Sequence, residues 1–138
     1  MTTSAPAPFR LGVDVVEIPR FAAAWQRWGA RWLQRLFTPA EQRLAAGRVE
    51  RLAVRFAAKE AVAKALGTGI GPVAWVDIEI LTTAQGEPTV HLHRAAAARA
   101  RALGLTGWAL SLSHSRHTAV AVALAWSTPL RHEEPPCG

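Results

Sequence analysis

Glu60 and Lys64, four residues apart, are where the chain could do chemistry. They lie in the run Arg55-Phe56-Ala57-Ala58-Lys59-Glu60-Ala61-Val62-Ala63-Lys64-Ala65-Leu66, closed by Gly67-Thr68-Gly69-Ile70-Gly71. Ala, Leu, Glu and Lys are good helix formers, and Gly67 stands where a left-handed residue usually ends a helix. Helical spacing puts Phe56, Glu60 and Lys64 on one face. Two readings follow. One is a surface Glu–Lys pair, worth about 0.2–0.5 kcal/mol. The other is a metal-binding carboxylate beside a phosphate-binding lysine, with the glycine loop letting a ligand approach the backbone. Asp14 poses the same choice. It sits within Leu11-Gly12-Val13-Asp14-Val15-Val16-Glu17-Ile18, whose β-branched alternation predicts a strand. Asp is disfavoured mid-strand, so it either faces solvent or is held by the sheet for a cation. His114 falls where a strand meets a turn and is accessible. Ser113 and His114 make no dyad, because strand neighbours face opposite ways. His91 and His93 share a strand face without a third ligand nearby, and read as exposed strand residues.

Positioning these groups requires particular elements. Pro19 suits a first helical turn, and the helix it opens runs to Trp28 and breaks at Gly29, with Ala30–Leu36 as a second piece. Arg20, Arg27, Arg31 and Arg35 punctuate this region among Phe21, Trp25, Trp28, Trp32 and Leu33. They form either a solvated basic face or a docking surface for an acidic helix. Thr38-Pro39-Ala40-Glu41 is a capping box that starts a short helix ending near Gly47. Arg48–Leu66 carries the central helix. Val76, Ile78 and Ile80 alternate with Asp77 and Glu79 as a half-exposed strand. Gln85-Gly86-Glu87 turns it into a partner at Thr89–His93. A helix over Ala95–Leu103 stops at Gly104. Trp108–His114 and Ala119–Trp126 then form a hairpin.

At 138 residues, with half of them hydrophobic, the chain reads as one globular domain over 11–126. Residues 1–10 read as a disordered leader, and the Pro-rich 127–138 as a flexible tail. No signal pattern opens the sequence and no apolar run reaches bilayer length, so a cytoplasmic location is expected. A lone cysteine, Cys137, excludes an internal disulfide framework and a Cys-based zinc site. The net charge of +6 asks for an acidic partner: nucleic acid, anionic lipid or an acidic protein.

Three segments together resemble the holo-acyl-carrier-protein synthase family of single-unit phosphopantetheinyl transferases. They are Gly12-Val13-Asp14-Val15-Val16-Glu17, the Phe56-Ala57-Ala58-Lys59-Glu60-Ala61 run through Lys64-Ala65-Leu66-Gly67-Thr68-Gly69, and Leu112-Ser113-His114-Ser115. The resemblance implies an α+β fold, with an antiparallel sheet of about five strands crossed by a long helix. It implies Mg²⁺-dependent transfer of the phosphopantetheine arm of coenzyme A to a serine of an apo carrier protein. Asp14 and Glu60 match the family's metal carboxylates, and with Lys64 its catalytic set. Arg55, Lys64, Gly67 and His114 match positions around coenzyme A, and Arg20, Arg27 and Arg31 lie where the carrier docks. The serine proton is left open between Glu60 and a metal-bound water. A homotrimer with sites between subunits is implied, with no membrane or nucleic acid involved. The partner implied is an acidic acyl or peptidyl carrier protein; Trp25, Trp28, Trp32 and Trp75 lie outside the motifs, so it is expected to differ from an ordinary fatty-acid carrier and to suit a polyketide pathway instead. Two rivals remain: a non-enzymatic nucleic-acid binder, and an inactive structural member of the same family.

Overall fold

A computed structural model describes residues 9–128 of the chain, so most of the leader and tail expected from the sequence lies outside the described residues. The elements run β1 (Phe9–Glu17), α1 (Ile18–Leu36), α2 (Pro39–Ala45), α3 (Val49–Leu66), β2 (Ile78–Thr82), β3 (Pro88–Leu92), α4 (Arg94–Ala102), β4 (Gly107–His114) and β5 (Thr118–Trp126). The fold is the expected α+β arrangement, with all strand pairs antiparallel. The five strands part into a three-stranded sheet ordered β1-β5-β4 and a two-stranded sheet of β2 and β3. The first strand already runs through Phe9 and Arg10, ahead of the boundary read from sequence. At the other end, Thr128 is pinned by a 2.8 Å bond from its N–H to Thr106 Oγ1.

Helix α3 lies across the larger sheet because both surfaces are small. Its Ala57, Ala58, Ala61 and Ala65 are buried, and they meet a β5 stripe of Ala119, Ala121, Ala123 and Ala125 that is 0% exposed. Gly12 completes this seam on β1. A Cβ there would run into the Ala61 carbonyl, so only glycine lets the helix settle on the strand. Buried along most of its length, α3 is a core helix rather than a surface one.

The β1 alternation has an unexpected polarity. Leu11, Val13 and Val15 are 60%, 53% and 59% exposed, whereas Gly12 and Asp14 face α3. Cross-strand partners extend the apolar face through Val122 and Trp126 of β5. The expected break in α1 is real: Gly29 adopts φ 74°, which favours glycine, and kinks the helix. The strand expected from Val76 starts later. Trp75–Asp77 forms a 3₁₀ turn because the buried Asp77 caps Ala74 N–H and accepts from Arg94 Nε at 2.7 Å.

Candidate active site

The strand–helix seam sets the site. Because Gly12 holds β1 close to α3, the next inward residue, Asp14, meets the polar stripe of the helix. Lys64 Nζ donates to Asp14 Oδ1 at 3.0 Å and to the Val13 carbonyl at 3.0 Å. Glu60 stands one helical turn before Lys64. Burial pushes the Glu60 carboxyl above its ordinary pKa, the Asp14 charge pushes it further, and Lys64 offsets part of this. Asp14 is therefore not a solvent-facing residue, and the Glu60–Lys64 stripe is not an isolated surface pair.

Asp14 and Glu60 line a cavity of about 470 Å³ with Glu17, Arg20, Phe21, Trp32 and Phe56. Its apolar wall is an aromatic cluster. Phe21 lies 5.2 Å from Trp32 and 5.5 Å from Phe56, and Phe56 stacks on Trp75 at 4.6 Å between centroids. Two carboxylates that repel each other across such a cavity are the donor set a hard cation relieves, and Mg²⁺ is held by one or two carboxylates plus phosphate oxygens and waters. Among the described residues no group of three or more His, Cys, Asp or Glu forms a metal cluster, so such an ion would draw its remaining ligands from substrate and water.

Not every residue expected at the site converges there. Arg55 turns to the other side of α3, where it is 8% exposed and donates to the Ile80 carbonyl at 3.2 Å and Thr82 Oγ1 at 2.9 Å. It lines a separate cavity of about 380 Å³ with Gly86, Pro88, Ser111 and Leu112. His114, exposed at the end of β4, lines neither cavity. Gly67 closes α3 at φ 75°. Arg20 enters the Asp14 cavity, while Arg31 borders a groove with Trp28, Trp32 and Arg35. Arg27 stacks on the exposed Trp28 ring at 4.9 Å. His91 and His93 do not act together: His91 bonds Thr89, and the His93 ring, at the N-cap position of α4, meets Glu79 at 3.1 Å instead of capping the helix.

Sequence reasoning missed a second charged pair. Lys59, 0% exposed, donates to Glu41 Oε1 at 2.7 Å and to the carbonyls of Trp75 and Ile78 at 3.0 and 2.6 Å. Glu41, also 0% exposed, accepts in addition from the N–H of Thr38 and of Ile80. The capping box foretold the Thr38 bond alone. A signal was present: Lys59 follows two alanines in a helix too apolar to own a solvent face there.

Comparison with known proteins is consistent across three measures. The model of the 4'-phosphopantetheinyl transferase superfamily matches residues 10–125. A holo-[acyl-carrier-protein] synthase of Roseiflexus sp. is 54% identical over 92 residues, covering 62% of this chain and 67% of that protein. The crystal structure of a holo-[acyl-carrier-protein] synthase from Neisseria meningitidis superposes with a TM-score of 0.77 at 36% identity, over 84% of this chain and 96% of the other. A Helicobacter pylori holo-[acyl-carrier-protein] synthase, solved in complex with coenzyme A, gives a TM-score of 0.77 at 29% identity, over 83% and 98%.

Proposed function

The chain belongs to the 4'-phosphopantetheinyl transferase superfamily, and from that premise we propose that it works as a holo-acyl-carrier-protein synthase. It takes coenzyme A and an apo carrier protein, and returns holo carrier and adenosine 3',5'-bisphosphate. The serine oxygen bonds to the phosphorus that bears the pantetheine, and the bond from that phosphorus to the bridging oxygen breaks. The observation that carries this reading is that Asp14 and Glu60 line one cavity, with Lys64 hydrogen-bonded to Asp14. Phosphoryl transfer needs positioning and charge stabilisation more than covalent help from the protein.

Asp14 and Glu60 would hold Mg²⁺, which when bound neutralises charge on the diphosphate. Lys64, whose ammonium is bonded to Asp14, would hold a phosphate oxygen. Glu60 lines the same cavity, and it or a water would take the serine proton. The aromatic wall excludes water on one side. Arg20 lies at the same cavity, so it is the arginine through which an acidic carrier would reach the serine's destination, with Arg27 and Arg31 further along α1. A nucleic-acid backbone would instead meet two carboxylates here, which disfavours that rival.

We also propose a homotrimer. The outer face of the larger sheet leaves Phe9, Leu11, Val13, Val15, Val122 and Trp126 exposed side by side, the kind of apolar face that marks an interaction surface. The separation of Arg55 and His114 from the Asp14 cavity fits a coenzyme A site shared by neighbouring protomers. No helix of the described residues is long and apolar enough to cross a membrane, and a cytoplasmic location is part of the proposal. The test is intact-mass analysis of apo carriers from fatty-acid and polyketide systems incubated with coenzyme A and Mg²⁺. A mass gain equal to phosphopantetheine on a serine is expected for at least one of them. No gain on any, with folded protein, would sink the assignment.

A further inference from the structure

Two side chains outside the motifs meet at the C-terminal end of α3. Arg10, on the helix-facing side of β1, donates Nε to the Ala65 carbonyl. Arg99, on α4, donates Nε to the Leu66 carbonyl at 3.0 Å. The last carbonyls of a helix lack helical partners, so these two bonds are explained by capping. The remaining guanidinium nitrogens are not. A Cβ on Gly67 would lie 2.8 Å from Arg10 Nη2 and 3.5 Å from Arg99 Nη2, so both guanidiniums converge over the bare backbone of this glycine.

Charge at this point does not balance. Both arginines are half-buried, and among the described residues no carboxylate lies within 4.0 Å of either. A helix C-terminus supplies only about half a negative charge against two full positive ones. Lys64, one turn upstream, adds a cation that Asp14 already engages. Like charges held together in partial burial cost free energy unless an anion joins them. Guanidinium forks match phosphate oxygens in geometry as well as charge.

We propose that Arg10 and Arg99 form a phosphate subsite over Gly67, which takes a phosphate group of the nucleotide substrate. This rests on the coenzyme A reading above. β1 from Asp14 back to Arg10 runs beside α3 from Glu60 to Gly67, so a substrate held at Lys64 passes the arginine pair along the same edge. The phosphate is either the 3'-phosphate or the diphosphate, and substrate choice separates them.

The experiment is calorimetric titration of the full chain with adenosine 3',5'-bisphosphate, comparing wild type with the double variant Arg10→Gln/Arg99→Gln. Losing two charge-assisted contacts should weaken binding by about tenfold or more. Michaelis constants for coenzyme A and 3'-dephospho-coenzyme A identify the source. A rise for coenzyme A alone assigns the 3'-phosphate, and a rise for both assigns the diphosphate. Unchanged affinity in a folded double variant overturns the proposal. Should that variant not fold, the single variants Arg10→Gln and Arg99→Gln decide: weaker binding of the bisphosphate in either supports the subsite, and wild-type affinity in both overturns it. A wild-type protein that binds the bisphosphate through these arginines but modifies no carrier would sustain the subsite while removing the transferase reading.

Discussion

Lys59 and Glu60 are neighbours on α3 and sit in opposite electrostatic settings. Lys59 is closed in: Glu41 neutralises it, two carbonyls take its other protons, and Glu41 is itself satisfied by two backbone N–H groups. Glu60 is left open, with a second carboxylate, Asp14, for company and a half-exposed Lys64 that spends its bonds on Asp14 and Val13. The same residue types make a fastener in one place and, in the proposed function, a site in the other. What separates them is satisfaction. A buried polar network is favourable only when every group has its partner. In the proposed function, a ligand completes the open set.

Removing either open carboxylate should produce the largest effect. Asp14→Ala and Glu60→Ala are each expected to lower turnover at saturating Mg²⁺ by about a thousandfold, on the scale of deleting a charge-stabilising group. Near-normal turnover in either variant would break the contrast between the two regions. Lys59→Met tests the closed pair. It strands Glu41 as a buried unpaired charge, and chemical denaturation should show a loss of about 3–5 kcal/mol. A loss confined to activity, with stability intact, would mean that Lys59 belongs to the site.

Lys64→Ala should be milder, because Lys64 is half-exposed and needs substrate to complete its contacts. Weaker coenzyme A binding by about tenfold is expected by calorimetry, in line with one charge-assisted hydrogen bond. Unchanged affinity and turnover would remove it from the site.

The smallest effects concern pH. The folded state raises the Glu60 pKa from 4.5, so ionised Glu60 opposes folding, and the protein gains stability as pH falls through that raised value. Glu79 behaves oppositely. Burial alone would raise it, but hydrogen bonds from Thr38 and His93 carry its pKa below 4.5. Its contribution is present above that value and is lost as pH falls through the lowered one. Thermal melts of Glu60→Gln and Glu79→Gln across acidic pH should therefore diverge, the first more stable than wild type at neutral pH and the second less. Parallel shifts would mean that the open site carries no electrostatic strain.

Local chemistry was legible in the sequence wherever it is settled within a few residues. The Thr38–Glu41 capping box, the Gly67 cap and the Gly29 break depend on backbone conformation and near neighbours, and all stand as read. That Glu60 and Lys64 share a helix face was legible from their spacing, whereas the approach of Asp14 to them came from strand–helix packing. The leader and tail fall almost wholly outside residues 9–128. Alternation showed that β1 has two faces, but only packing chose between them: small residues on α3 and β5 drew the Gly12 and Asp14 side inward and left Leu11, Val13 and Val15 outside. Arg55 was expected near the nucleotide from the family resemblance, and within one chain it lines a different cavity from Glu60. Lys59 with Glu41, and Arg10 with Arg99, are pairs brought together from different elements. Sequence spacing carries no information about such encounters, because they form only when helices and strands settle into a shared core and bring distant charges within hydrogen-bond reach.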